Sequence, residues 1–173
     1  MTRFRIVAAA ALGAAVVAGL ARAQPELAFL PQATEMCLSQ AVGPAREICV
    51  GLSAAACMET PDGYTTVGMS VCLGSELEYW DGRLNAAYRS LLETDGRTDA
   101  EMADLGSAAP QLVPALREMQ RAWISFRDAA CAYERAQWGG GTGGGPASAH
   151  CAMTITARQA MVLEDRVAGT GQQ

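Results

Sequence analysis

Two blocks of polar and aromatic residues hold the side chains best suited to chemistry. The first reads Cys72-x3-Glu76-x3-Trp80-Asp81-x2-Leu84-Asn85-x2-Tyr88. The second reads Gln120-Arg121-Ala122-Trp123-x2-Phe126-Arg127-Asp128-x2-Cys131. Glu76 and Asp81 are carboxylates that a guanidinium such as Arg127 can bind in bidentate fashion across a helix pair; the same carboxylates could instead meet cationic groups of a partner. Asp81 and Asn85 are four residues apart and share a helix face. A catalytic role for that pair needs a base or nucleophile alongside, and none is evident. Gln120 and Tyr88 read as hydrogen-bonding members of an interhelical seam. Trp80 and Trp123 lie on apolar stripes, which reads first as core packing and second as anchors for a partner. All 13 basic residues are Arg, so lysine-based catalysis is excluded. The single His, His150, reads as a solvated loop residue. It leaves any zinc site to be built almost entirely of thiolates. Neither a metal nor a cofactor is expected.

The elements that must position these residues belong to a small exported protein. The chain has 173 residues, is 50% apolar and 18% charged, and so has the composition of one folded domain with a processed segment. Met1 to Arg5 is a short basic stretch, Ile6 to Leu20 an unbroken run of apolar or Gly residues, and Ala21-Arg22-Ala23 a small-x-small cleavage signal. The apolar run is short for a membrane span, so residues 1–23 read as a signal peptide cut before Gln24; the alternative is an uncleaved N-terminal anchor. Removal of Arg3, Arg5 and Arg22 leaves a mature chain of 150 residues with net charge −8. That charge disfavours nucleic acid and anionic lipid and favours a cationic partner. Periplasmic or secreted localisation follows, with no stable membrane anchor after cleavage.

All six cysteines fall in the mature part: Cys37, Cys49, Cys57, Cys72, Cys131 and Cys151. An even number behind an export signal reads as disulfides, against metal or redox use. Six cysteines allow 15 pairings. The preferred one is sequential, Cys37–Cys49, Cys57–Cys72 and Cys131–Cys151. The last is argued best, because it would pin a C-terminal helix across a Gly-rich crossover.

Helical periodicity dominates the mature chain. A short helix is expected from Thr34-Glu35 to Gly43-Pro44, and a second from about Pro44 to Cys57. Thr65 or Thr66 caps a longer helix with the stripe Met69, Leu73, Leu77, Trp80, Leu84, Tyr88 and Leu91, ended by Asp95-Gly96. A second stripe, Leu112, Leu116, Met119, Trp123, Phe126, Ala130 and Tyr133, starts between Pro110 and Pro114. Trp138 to Pro146 is too Gly-rich for regular structure. A final helix carries Thr156, Ala160, Leu163 and Val167. The expected fold is all-α: an antiparallel helical hairpin plus a C-terminal helix, disulfide-stapled, preceded by short N-terminal helices. The expected organisation is a signal peptide over 1–23, a Cys-containing extension over 24–64, a helical domain over 65–168 and a tail over 169–173.

With these blocks in place, the chain from about Cys57 to Leu163 resembles the LprI-like lysozyme inhibitor family, long known as a domain of unknown function. The family pattern is C-x3-E-x3-D-x2-LN-x2-Y, then QRAW-x2-(F/Y)RD-x2-C, then Gly-Gly, then a Cys and a short Thr/Arg helix. Cys37 and Cys49 lie in an extension beyond that pattern, Trp80 stands ahead of Asp81, and Gln159 falls where the pattern has Arg, with Arg158 one place early. The resemblance implies an exported, disulfide-linked helical domain that binds a lysozyme. Two function classes follow: an exported binder and inhibitor of a cationic lysozyme-like muramidase, or a non-inhibitory envelope adaptor. An enzyme ranks third. Low aromatic content offers no obvious platform for sugar stacking, and Trp138 to Pro146 is the candidate loop for occluding a muramidase cleft.

Overall fold

The computed structural model describes residues 27–170. The expected signal peptide, its cleavage site and the last three residues lie outside them. The described residues form helices joined by turns and short connections, with no strand among them: α1 (Gln32–Leu38), a 3-10 helix (Gly43–Cys49), α2 (Leu52–Met58), α3 (Thr66–Asp104), α4 (Leu112–Ala136) and α5 (Gly144–Thr170). No helix among the described residues is long and apolar enough to cross a membrane.

Thr65 starts α3 as expected: its hydroxyl accepts from the Gly68 N–H at 2.9 Å. The helix does not stop at Asp95-Gly96 but continues to Asp104. Glycine inside a helix costs about 1 kcal/mol relative to alanine, and here α4 offsets it from outside. Val113 lies beside Gly96. One turn further on, the Asp99 carboxylate accepts from Leu112 N–H at 2.7 Å and Val113 N–H at 2.9 Å. Asp99 therefore caps α4 from a neighbouring helix, and Gln111, the residue at that cap position, contributes no side-chain bond.

α4 runs back antiparallel to α3, and the Cys131–Cys151 disulfide joins its end to the start of α5. Gly145 of α5 faces Ser70 near the start of α3, and Glu164 meets Arg83 further along, so α5 runs parallel to α3. The result is an up-down-up bundle. α5 packs along α3 much more extensively than α4 does. The expected α3–α4 hairpin is present, but α5 is the principal partner of α3. Ala157 and Ala160 are completely buried on α5 and let the two backbones approach, with Met153, Leu163 and Trp80 filling the space around them.

Further expectations are corrected. The helix expected over Pro44 to Cys57 is two pieces, because Gly51 adopts φ +90° between them. α5 begins inside the Gly-rich run at Gly144, with Pro146 in its first turn where a missing N–H costs nothing. α5 also includes His150, which is exposed but helical, and extends two residues into the expected tail. Finally, α4 is rotated relative to its apolar stripe. Leu116, Gln120 and Cys131 are buried, whereas Phe126 and Tyr133 are 63% and 68% exposed. Within the core, the Thr156 hydroxyl is buried with no hydrogen-bond partner among the described residues. Thr156→Val is expected to raise the unfolding free energy by about 1 kcal/mol, read by urea denaturation, because it removes an unsatisfied buried group at nearly constant volume.

Candidate functional site

The motif residues separate into a buried anchor and an open groove. Glu76 is the anchor, on α3 and completely buried. Its Oε1 accepts from Thr34 Oγ1 at 3.0 Å, Gly51 N at 2.7 Å and Trp80 Nε1 at 3.1 Å, and its Oε2 accepts from Ala54 N at 2.7 Å. Gly51 is the cap residue of α2 and has no side chain to close that helix. Glu76 supplies the missing acceptor from α3, at the helix end where a negative charge is favoured. Thr34 and Ser53 complete the arrangement: Thr34 N–H donates to Ser53 Oγ, and Ser53 N–H to Thr34 Oγ1. The ion pair expected between Glu76 or Asp81 and Arg127 is therefore absent. Arg127 binds its neighbour Asp128 and stacks over Trp123 at 5.0 Å, while Asp81 accepts from Asn85 Nδ2 at 2.7 Å.

Asp81, Leu84, Asn85 and Tyr88 of α3 face Gln120, Trp123 and Arg127 of α4 across a groove of about 490 Å³. Arg117, Arg121 and Ile124 complete its lining. Seven of the ten family-motif positions thus meet in one place. Glu76 and Trp80 lie in the buried interior, and Asp128 is exposed beside Arg127. Trp80 is fully buried, as expected of a core residue, whereas Trp123 is only partly buried. Gln120 does join an interhelical seam, but toward α5: its Oε1 accepts from Gln159 Nε2 at 2.6 Å. Gln159 therefore makes a neutral bond at the place where the family pattern has Arg. Arg158 instead pairs with Glu47 of the N-terminal segment.

Sequence reasoning missed a second polar cluster. Glu164 receives Arg83 Nε at 2.7 Å and Arg46 at 3.1 Å, and Arg46 also reaches Asp165. Arg83 lies over the Trp80 ring at 5.2 Å. Burial acts to lower the Arg83 guanidinium, but its bonds to Glu164 and Tyr79 outweigh this and hold it above its ordinary value. The signal in the sequence was Arg83 three places after Trp80, but its partner is 81 residues away. Toward the far end of α3, burial pushes the Asp95 carboxyl up, the Asp99 carboxylate adds to this, and Arg166 opposes it. Among the described residues no group of His, Cys, Asp and Glu is placed to hold a metal ion.

The family model for the lysozyme inhibitor LprI matches residues 57–163. The chain belongs to the LprI family. The matched segment runs from the end of α2 through most of α5 and contains both motif blocks, the groove between them and two of the three disulfides. An uncharacterized protein of Rhizobium meliloti (strain 1021) is 28% identical over 97 residues, which are 53% of this chain and 70% of that protein. An uncharacterized 17.7 kDa protein of Rhodobacter capsulatus is 26% identical over 147 residues, 84% of this chain and 91% of that one. No solved structure matches. LprI membership agrees with the resemblance seen in the two blocks, and the three disulfides pair sequentially, as preferred.

Proposed function

We propose that this chain is an exported, non-catalytic binding protein that engages and inhibits a lysozyme-like muramidase. The observation that carries this reading is the match of the lysozyme-inhibitor model to the segment that forms the three-helix body. Charge supports it. The mature chain has net charge −8, and a basic muramidase would be steered toward it over distances up to about a Debye length. Glu93, Glu101 and Asp104 are exposed on the last turns of α3, and every residue from 100 to 112 is exposed, which puts carboxylates at an accessible end of the helix. Inhibition requires an element that blocks access to the acid pair in a muramidase cleft. We assign that task to this end of α3 and the 105–111 connection. The Trp138 to Pro146 turn suits it less, because the Trp138 ring lies directly on the Gly143 backbone, where a methyl group would come within 2.2 Å of the ring. Three disulfides and the leader-like start support an exported location.

The test is a cell-wall lysis assay with the oxidised chain 24–173 and a basic muramidase. We expect inhibition that weakens as salt is added. An unchanged lysis rate at large molar excess would overturn the inhibitor reading and favour the envelope adaptor.

A further inference from the structure

The lining of the groove between α3 and α4 is richer in Arg than in carboxylates, in a chain that is acidic as a whole. Arg117, Arg121 and Arg127 line it, against a single carboxylate, Asp81, which is already engaged by Asn85. Arg121 and Arg127 pair with Glu118 and Asp128, which do not line the groove; Arg117 has no ion pair among the described residues. In a chain of net charge −5, three Arg side chains line one depression, and of these the Arg117 guanidinium has no ion pair among the described residues. The partly buried rings of Trp123 and Tyr88 lie in the same depression, and Asn85 and Gln120 contribute side-chain amides.

We propose that this groove is a binding site for an anionic sugar, with a carboxylate held by Arg117 and Arg121 and a pyranose ring against Trp123 and Tyr88. Guanidinium groups are fitted to carboxylates because their donors form a planar fork. Aromatic faces take the apolar face of a sugar ring, and amide side chains read its hydroxyls. An acidic peptide fits the groove less well. Extended peptides are held largely through backbone hydrogen bonds, and the walls here are helices whose backbone groups are already paired. The volume of about 490 Å³ suits one or two sugar rings. The sequence alone pointed the other way, because few aromatics are present. The fold compensates by bringing two of them together from positions 35 residues apart. This site is independent of muramidase inhibition, and its test contains no muramidase.

The experiment is a calorimetric titration of the oxidised chain 24–173 with three probes: N-acetylmuramic acid (ring and carboxylate), N-acetylglucosamine (ring alone) and lactate (carboxylate alone). We expect saturable binding of N-acetylmuramic acid, and binding of each of the other two weaker by about tenfold or more. Arg117→Gln with Arg121→Gln removes the charge from two exposed side chains. It is expected to weaken N-acetylmuramic acid by about tenfold or more, with helical circular dichroism and unfolding midpoint unchanged. Trp123→Phe, which keeps an aromatic face, is expected to retain most of the binding. The proposal is overturned by any of three results: no saturation at about 10 mM N-acetylmuramic acid, equal binding of the neutral sugar, or insensitivity to the double Arg substitution. A glutamate-rich peptide is titrated separately, and its binding by a chain that ignores the sugar acid overturns the proposal as well.

Discussion

Glu76→Ala is expected to lower the unfolding free energy by roughly 3–5 kcal/mol. The carboxylate has four donors: the backbone N–H groups of Gly51 and Ala54, the Thr34 hydroxyl and the Trp80 indole. Truncation leaves these groups facing a cavity, and an unsatisfied buried donor costs about 1–3 kcal/mol. The loss is not the value of a single contact, because Glu76 also closes the N-terminus of α2, which Gly51 cannot cap. The damage should be local first. Amide exchange should accelerate at Gly51, Ser53 and Ala54 before it does in the α3–α5 interface. Glu76→Gln keeps the shape but presents two N–H donors where acceptors are needed, so about 2–3 kcal/mol is expected. Urea unfolding followed by circular dichroism measures both. An alanine variant within 1 kcal/mol of the parent would contradict the keystone role.

Reduction of the disulfides is the second large effect. The bridges close loops with separations of 12, 15 and 20 residues. In the chain-entropy model each contributes about 3 kcal/mol. Together they amount to roughly 9 kcal/mol, which is on the scale of the entire stability of a small domain. Reduced chain is therefore expected to lose most of its helical signal well below the melting temperature of the oxidised form. Each bridge also has its own place. Cys37–Cys49 holds α1 to the 3-10 helix, Cys57–Cys72 holds α2 to α3, and Cys131–Cys151 holds α4 to α5 across the Gly-rich turn. Replacing Cys131 and Cys151 together by Ser should cost about 3 kcal/mol and loosen the start of α5. Retention of the oxidised melting temperature after full reduction would show that packing alone suffices.

The sequence revealed the helices more clearly than their partners. Thr65, the 69–91 stripe and the 156–167 stripe all correspond to what forms, because helix caps and apolar spacing act locally. The end of α3 was misjudged because Gly96 and Asp99 derive their meaning from α4, which returns past them. The choice of α5 over α4 as the main partner of α3 was hidden for a related reason. Small residues such as Ala157 and Ala160 make a close interface possible, yet they score weakly on any apolar stripe.

The site was legible in composition but not in assignment. The motif identified Asp81, Asn85, Tyr88, Gln120, Trp123 and Arg127, and these do share one groove. The role of Glu76 was misread, since its nearest cation by motif was Arg127 while its actual donors are backbone groups of a segment before the motif begins. A carboxylate set four residues before Trp80 on a buried face was the available clue. Such a group must find donors, and a Gly-initiated short helix has donors to give. On α4, burial of Gln120 and half-burial of Arg127 turn the helix away from Phe126 and Tyr133, because the polar side chains have hydrogen-bond or ring partners inside.

The account rests on recognition of a cationic muramidase by an acidic helical body. Calorimetric titration of a basic muramidase with the oxidised chain 24–173, at two ionic strengths, addresses this most directly. The account predicts a saturable complex at low salt whose dissociation constant rises by about tenfold or more when salt is raised beyond 0.3 M, on the order of a twofold shorter screening length. Absence of a complex at low salt, with full lytic activity in the presence of excess chain, would contradict it.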